Sequence, residues 1–284
     1  MHFVRPTTFA DALSEKAAHP SAVPILGGTD LMVGLNAGQQ PPPALIDLSA
    51  VEELTSFVTD DGTIRIGAGM TYSRIIDELG RLCPGLAAAA RTVGSPQIRN
   101  RGTVAGNLGT ASPAGDTHPV LIATRAVVTV ESVRGTRDIP IDEFYLGPKR
   151  NALAPDELIS SVRLPIGAGP QQFAKVGPRN AMVIAVCSVA VALDARARTV
   201  GVGIGSAAPT PRRVPEAETL ASEIPWRQGR LDGDVARRFG EAVAAAATPI
   251  DDVRGTAAYR RHGLAVLARR ALSWAVSELP GGGR

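Results

Sequence analysis

Residues Gly94 to Asp116 read GSPQIRNRGTVAGNLGTASPAGD, and no part of this run sustains the period of 2 of a strand or the 3.6 of an amphipathic helix. Arg99, Arg101 and Asp116 are its only charged residues, too few for a solvated, disordered segment. An irregular stretch of this length inside a compact domain is usually functional. The run therefore reads as a long, glycine-rich functional loop.

A second glycine turn lies upstream. Val23 to Leu26 reads as a short buried strand running into Gly27-Gly28-Thr29-Asp30-Leu31, and Leu31 to Leu35 as a helical turn or two. This turn and Thr103-Val104-Ala105-Gly106-Asn107 both suit backbone amides wrapped around an anion, because glycine permits close approach and positive φ. A diphosphate needs donors from two directions, and Thr29, Thr103 and Asn107 add side-chain donors. Asp116, acceptor-only when ionised, suits a ribose or ribityl hydroxyl.

The remainder alternates helices and hairpins. Thr8 with Asp11 starts a helix over Phe9 to Ala18, Thr71 caps one through Leu79, and Pro84 opens another to about Thr92. A strand is expected over Ala44 to Leu48, and hairpins over Ser56–Gly67 and Val127–Ile141. Leu158 to Leu164 reads as a strand before a Gly167-Ala168-Gly169-Pro170 linker, where we place a domain boundary. Beyond it come strands at Gln171 to Lys175, Ala185 to Leu193 and Val200 to Gly205, then helices over Val235 to Ala247 and Ala257 to Glu278.

Composition removes several classes. With 44% hydrophobic and 20% charged residues the chain is an ordinary globular one, and its 284 residues allow one large domain or two to three smaller ones. Cys83 and Cys187 alone hold no iron-sulfur cluster, all-cysteine zinc site or disulfide framework and read as small core residues, so no metal site is expected on this chain. His2, His19, His118 and His262 stand apart from any nucleophile or Walker motif, so hydrolysis and phosphoryl transfer lose support. His118 reads as a helix-start or solvated side chain. Arginines scattered among 27 acidic residues leave a net charge of +3 with no basic stripe for nucleic acid. The nearly apolar run Ala181 to Leu193 is too short to span a membrane, and Met1 to Lys16 lacks a secretory h-region, so a cytoplasmic location is expected.

Taken together, the two glycine segments and the intervening Gly94-Ser95-Pro96-Gln97-Ile98-Arg99-Asn100-Arg101-Gly102 make the chain resemble the FAD-binding medium subunits of the molybdenum hydroxylases, as in bacterial xanthine dehydrogenase and aerobic carbon monoxide dehydrogenase. Arg254 to Arg261 and Arg269-Arg270-Ala271-Leu272 echo that family's C-terminal domain. The resemblance implies an α+β fold: an FAD-binding domain of the p-cresol methylhydroxylase (PCMH) type over residues 1–166, with two α/β subdomains of about 1–54 and 55–166. A C-terminal α+β domain over 171–280, a small antiparallel sheet with helices, would follow.

The resemblance also implies that Pro24, Ile25, Leu26, Gly27, Gly28, Thr29, Asp30 and Leu31 form a first FAD loop, and Thr103, Val104, Ala105, Gly106 and Asn107 a second. Asp116 would lie near the FAD sugar, and Val93, Ile159 and Lys175 at the flavin. The family commonly has two glycines before the asparagine; here Ala105 precedes Gly106. A large molybdopterin subunit and a small [2Fe-2S] subunit would be partners in a dimer of heterotrimers, with NAD, oxygen or a quinone accepting the electrons. The competing readings are a self-contained flavin oxidase or dehydrogenase, and a non-enzymatic nucleotide-binding or assembly protein.

Overall fold

Residues 2–166, 169–227 and 230–279 are described by the structure, a computed structural model. Gly167 and Ala168 of the expected linker, and Pro280 at the expected domain end, lie outside them.

The first lobe runs β1 (His2–Val4), α1 (Phe9–Ala18), β2 (Val23–Ile25), α2 (Leu31–Asn36) and β3 (Ala44–Asp47), with the strands parallel in the order β1-β3-β2. Thr8 starts α1 as expected: its Oγ1 accepts from the Asp11 amide at 3.1 Å and donates to the Asp11 carboxylate at 2.7 Å.

The second lobe opens with the hairpin β4 (Phe57–Asp60) and β5 (Thr63–Gly67), turned through Asp61 and Gly62 at φ 40° and 71°. Helices α3 (Tyr72–Glu78) and α4 (Pro84–Arg91) follow at the expected starts. The expected long loop is then corrected. It contains α5 (Pro96–Arg99) and α6 (Val104–Thr110), and α7 (His118–Ala123) begins just after it. Helices of four and seven residues are too short to show an apolar period; their starts are set by Ser95 and Thr103, whose side chains accept from the amides of Ile98 and Gly106.

β6 (Val127–Ser132) and β7 (Gly135–Pro140) pair as a hairpin, and α8 (Ile141–Phe144) leads to a small ladder of β8 (Tyr145–Gly147) and β9 (Arg150–Asn151). β10 (Leu158–Pro165) then inserts between the two hairpins, giving an antiparallel sheet in the order β4-β5-β10-β6-β7. Its buried face carries Leu158, Val162 and Leu164 into one core shared by both lobes.

The C-terminal region forms a second antiparallel sheet, β11 (Gln171–Val176), β12 (Cys187–Asp194), β13 (Thr199–Gly205) and β14 (Arg212–Arg213), in that order. After the short α9 (Pro215–Glu218), α10 (Gly233–Ala245) and α11 (Ala257–Ser277) cover its face, closing a second core around Val191, Val202, Phe239 and Leu272. The regions meet where α7 lies on β13. A Cβ at Gly201 or Gly203 would stand 1.9 Å or 2.1 Å from the carbonyl oxygens of Ala123 or Pro119, so the alternating glycines of β13 admit the helix backbone. The fold is thus α+β as expected.

Candidate functional site

The glycine turn after β2 and the start of α6 face each other across one cleft. Its main chamber is about 1130 Å³, and a recess of about 440 Å³ continues from it through shared walls at Pro24, Leu26, Thr29 to Leu31, Gly106 and Thr110. Pro24, Ile25, Leu26, Gly27, Gly28, Thr29, Asp30 and Leu31 all line the recess, opposite Val93, Thr103, Gly106, Asn107 and Asp116. Ala105 and Ile159 line the main chamber. Val104 turns into the core and lines neither part, and neither does Lys175.

The first two glycines have separate jobs. A Cβ on Gly27 would stand 2.0 Å from the Arg101 carbonyl oxygen, so the two loops touch backbone to backbone there. Gly28 carries the positive φ, 71°. Thr110 Oγ1 donates to Asp30 Oδ2 at 3.0 Å, a second tie between the loops. Thr103 Oγ1 accepts the Gly106 amide at 2.9 Å, while the Val104 and Ala105 amides, as the first of a helix, have no intrahelical acceptor. Asn107 Oδ1 accepts from Thr117 Oγ1 at 2.9 Å, which leaves Nδ2 as its donor end.

Asp116 is held at the back of the recess. Its Oδ2 accepts from Lys175 Nζ at 2.6 Å and from Thr92 Oγ1 at 3.2 Å, while Oδ1 is buried without a partner among the described residues. Burial raises its pKa, and the charge and hydrogen bonds of Lys175 and the Thr92 hydroxyl offset only part of that rise. Lys175 is no surface cation. With two further bonds, to the carbonyls of Thr92 at 3.0 Å and Val183 at 3.1 Å, its ammonium has all three donors engaged. It comes from β11 and is tied to the recess by its bonds to Asp116 and to Val183 of the 177–186 segment, of which Met182, Val183 and Ile184 line the recess.

Residue-by-residue reading missed that segment, and also Tyr72, Ile98 and Ser112 on the recess walls. Tyr72 carried one usable signal, its place just after the cap Thr71; in the fold its amide donates to Gly102 O at 2.9 Å beside the second loop. Met182 to Ile184 carried none, since only the pairing of β11 with β12 returns them to the cleft.

Ala105 is the second residue of α6 and is not among the positive-φ positions, so its methyl fits the helix without strain. Ala105→Gly is expected to leave cofactor affinity equal or slightly tighter, and to lower stability by about 0.5–1 kcal/mol through glycine's backbone entropy. Cofactor titration and a thermal melt of the variant check both.

His118 begins α7, as one of the expectations had it, but it is fully buried rather than solvated. Its Nδ1 shares a 2.6 Å hydrogen bond with the Tyr145 hydroxyl, and burial pushes its pKa down to about 3. It stays neutral in the fold while an unfolded chain protonates it near pH 6.5. Its contribution is therefore present above that pH and is lost as pH falls toward 3, by about 1.4 kcal/mol per pH unit. His118→Gln is expected to remove this part of the acid slope in denaturant melts between pH 6 and 4.

Cys83 and Cys187 are buried in the first and second core respectively, and burial raises both thiols, to about 12 and about 11. Among the described residues no helix is long and apolar enough to cross a membrane.

Comparison with known proteins places these features in a group. Residues 1–167 match the family described as FAD binding domain in molybdopterin dehydrogenase, and residues 172–275 match the CO dehydrogenase flavoprotein C-terminal domain. The chain is 33% identical to the nicotine 6-hydroxylase medium subunit of Paenarthrobacter nicotinovorans, covering 93% of each. It is 30% identical to a putative xanthine dehydrogenase FAD-binding subunit of Escherichia coli K12, covering 98% of this chain and 96% of that one. A solved carbon monoxide dehydrogenase from Hydrogenophaga pseudoflava superposes with a TM-score of 0.89 at 25% identity, over 98% of both chains.

Proposed function

The chain belongs to the FAD-binding subunits of the molybdenum hydroxylases, and on that footing we propose that the cleft between the two glycine loops is its FAD site and that electrons leave the complex through it. One observation carries the reading. Two backbone loops some 75 residues apart converge on a single recess, which also holds a buried carboxylate with one oxygen unpartnered among the described residues.

The residues fit the cofactor. The Gly27–Asp30 turn and the amides of Val104 and Ala105 would hold the diphosphate, with Thr29, Thr103 and Asn107 adding side-chain donors. Asp116 Oδ1 would accept from a sugar or ribityl hydroxyl. Val93 and Ile159 would flank the flavin, and Lys175 would act by holding Asp116 and the 177–186 segment. Bound FAD supplies the exchange between one-electron carriers and a two-electron acceptor, while this chain binds it, shields it and positions it.

We place substrate oxidation on a large molybdopterin partner and single-electron relay on a small [2Fe-2S] partner, assembled as a dimer of heterotrimers in the cytoplasm. The final acceptor would be NAD, oxygen or a quinone. We also propose two domains, 1–166 and 171–280; their separate hydrophobic cores support that division.

Purified chain is expected to bind FAD one to one and FMN far more weakly, because FMN lacks the diphosphate and the adenosine. Asn107→Ala is expected to weaken FAD binding by about 1 kcal/mol. Fluorescence titration with both flavins checks this, and equal affinity for the two would remove the two-loop assignment.

A further inference from the structure

A cluster of potential metal ligands lies on the first lobe, built from groups the flavin cleft does not use. His2 stands on β1, whose chain is anchored by the His2 amide donating to Pro43 O at 2.9 Å. Glu15 and His19 are one turn apart at the C-terminal end of α1, where the His19 amide caps the helix by donating to Glu15 O. Their side chains converge on His2. The two imidazole rings have centroids 5.3 Å apart, His19 Nε2 is 4.0 Å from Glu15 Oε2, and one ligand atom from each residue lies within 4.8 Å of the others.

We propose that His2, Glu15 and His19 bind a late first-row divalent cation of the zinc class, with water completing the shell. Two imidazoles and one carboxylate suit Zn²⁺, Cu²⁺ or Ni²⁺ and do not suit Mg²⁺ or Ca²⁺, which prefer all-oxygen sites. Bonds of about 2.0–2.1 Å bring tetrahedral ligand atoms to roughly 3.3 Å apart, so the cluster has to close by up to about 1.5 Å. It is free to do so. His2 and His19 are exposed and Glu15 is half-exposed, and none of the three side chains makes a hydrogen bond among the described residues. A cation there also meets the negative end of the α1 dipole. Lys16, the cation on the same turn, points away, donating to the carbonyls of Pro20 and Ala22 at 2.8 Å and 2.6 Å. Bound metal would clamp β1 to α1 and stabilise the lobe that carries the first glycine loop.

The test uses the full chain, FAD-loaded, without an affinity tag, and stripped with a chelator. Zn²⁺ is added in a calorimetric titration, and melts are recorded with Zn²⁺ and, separately, Mg²⁺. The expected result is one Zn²⁺ per chain, a higher melting temperature with Zn²⁺ and none with Mg²⁺. His2→Ala and His19→Ala are each expected to weaken Zn²⁺ binding by more than the roughly 10–100-fold that loss of an outer-shell partner costs. Glu15→Gln is expected to weaken it while leaving the metal-free melt unchanged. Binding of the same strength in both histidine variants, or a zinc-induced rise in melting temperature that persists in them, would overturn the site. Because all three residues lie outside the flavin cleft, FAD content is expected to stay normal in every variant, so this result stands or falls separately from the flavin assignment.

Discussion

Gly27→Val is expected to purify almost free of flavin. A side chain at this position would place its Cβ 2.0 Å from the Arg101 carbonyl oxygen, and backbone cannot swing aside as a flexible side chain does. The two loops would have to part, and the diphosphate would lose donors from one of its two directions. Overpacking of this kind costs about 1–3 kcal/mol or more, and the β-branch narrows the available rotamers further. Gly28→Val is expected to do less. Its Cβ would meet Ile25 Cδ1 and Met32 Cγ at 3.3 Å, both flexible, and the main cost is the strain of φ 71°, about 1–2 kcal/mol. The ratio of flavin to protein absorbance, read beside the circular dichroism melt, separates site from scaffold. A Gly27→Val chain with normal flavin content would show that contact between the loops is not what holds the cofactor.

The second large effect is expected at Lys175. Its side chain and that of Asp116 are each only 10% exposed, so Lys175→Met leaves a carboxylate buried without its cation. Breaking a buried pair from one side costs about 3–5 kcal/mol. The sign of the pH dependence follows from the carboxylate. Asp116 already has a raised pKa in the fold, and losing the lysine raises it further. A carboxyl whose folded pKa exceeds its unfolded value carries no penalty below that value, about 3.9, and a growing one as pH rises through the folded pKa. The variant is therefore expected to be destabilised more at pH 8 than at pH 5 in urea melts. Lys175→Met with Asp116→Leu is expected to regain most of the stability yet still bind FAD weakly, because the free acceptor Oδ1 is gone. A single variant with an unchanged melt at both pH values would mean that the pair is not what joins β11 to the recess.

Features set by near neighbours in the chain could be read from it directly. Thr8 and Thr71 cap helices whose amides lie three residues on, and Asp61-Gly62 turns a hairpin between adjacent strands. The glycine loops were legible for a similar reason: the lack of side chains is written in the residues themselves. α5 and α6 were not, since a helix of four or seven residues shows no period and is held by its caps and its neighbours. The division of labour between Gly27 and Gly28 was equally hidden, because it depends on which of them meets Arg101, more than 70 residues away. Lys175 shows the limit most clearly. Its charge was visible, but its partner lies 59 residues earlier and its two carbonyl acceptors 83 residues earlier and 8 later. Only the packing of the second sheet against the first core brings those oxygens together. Residue types and local spacing thus determined where the caps, the hairpins and the two glycine-rich loops lie, and the family resemblance implied the α+β fold; tertiary packing decided which atoms face the cleft, because burial and pairing are properties of neighbours in space.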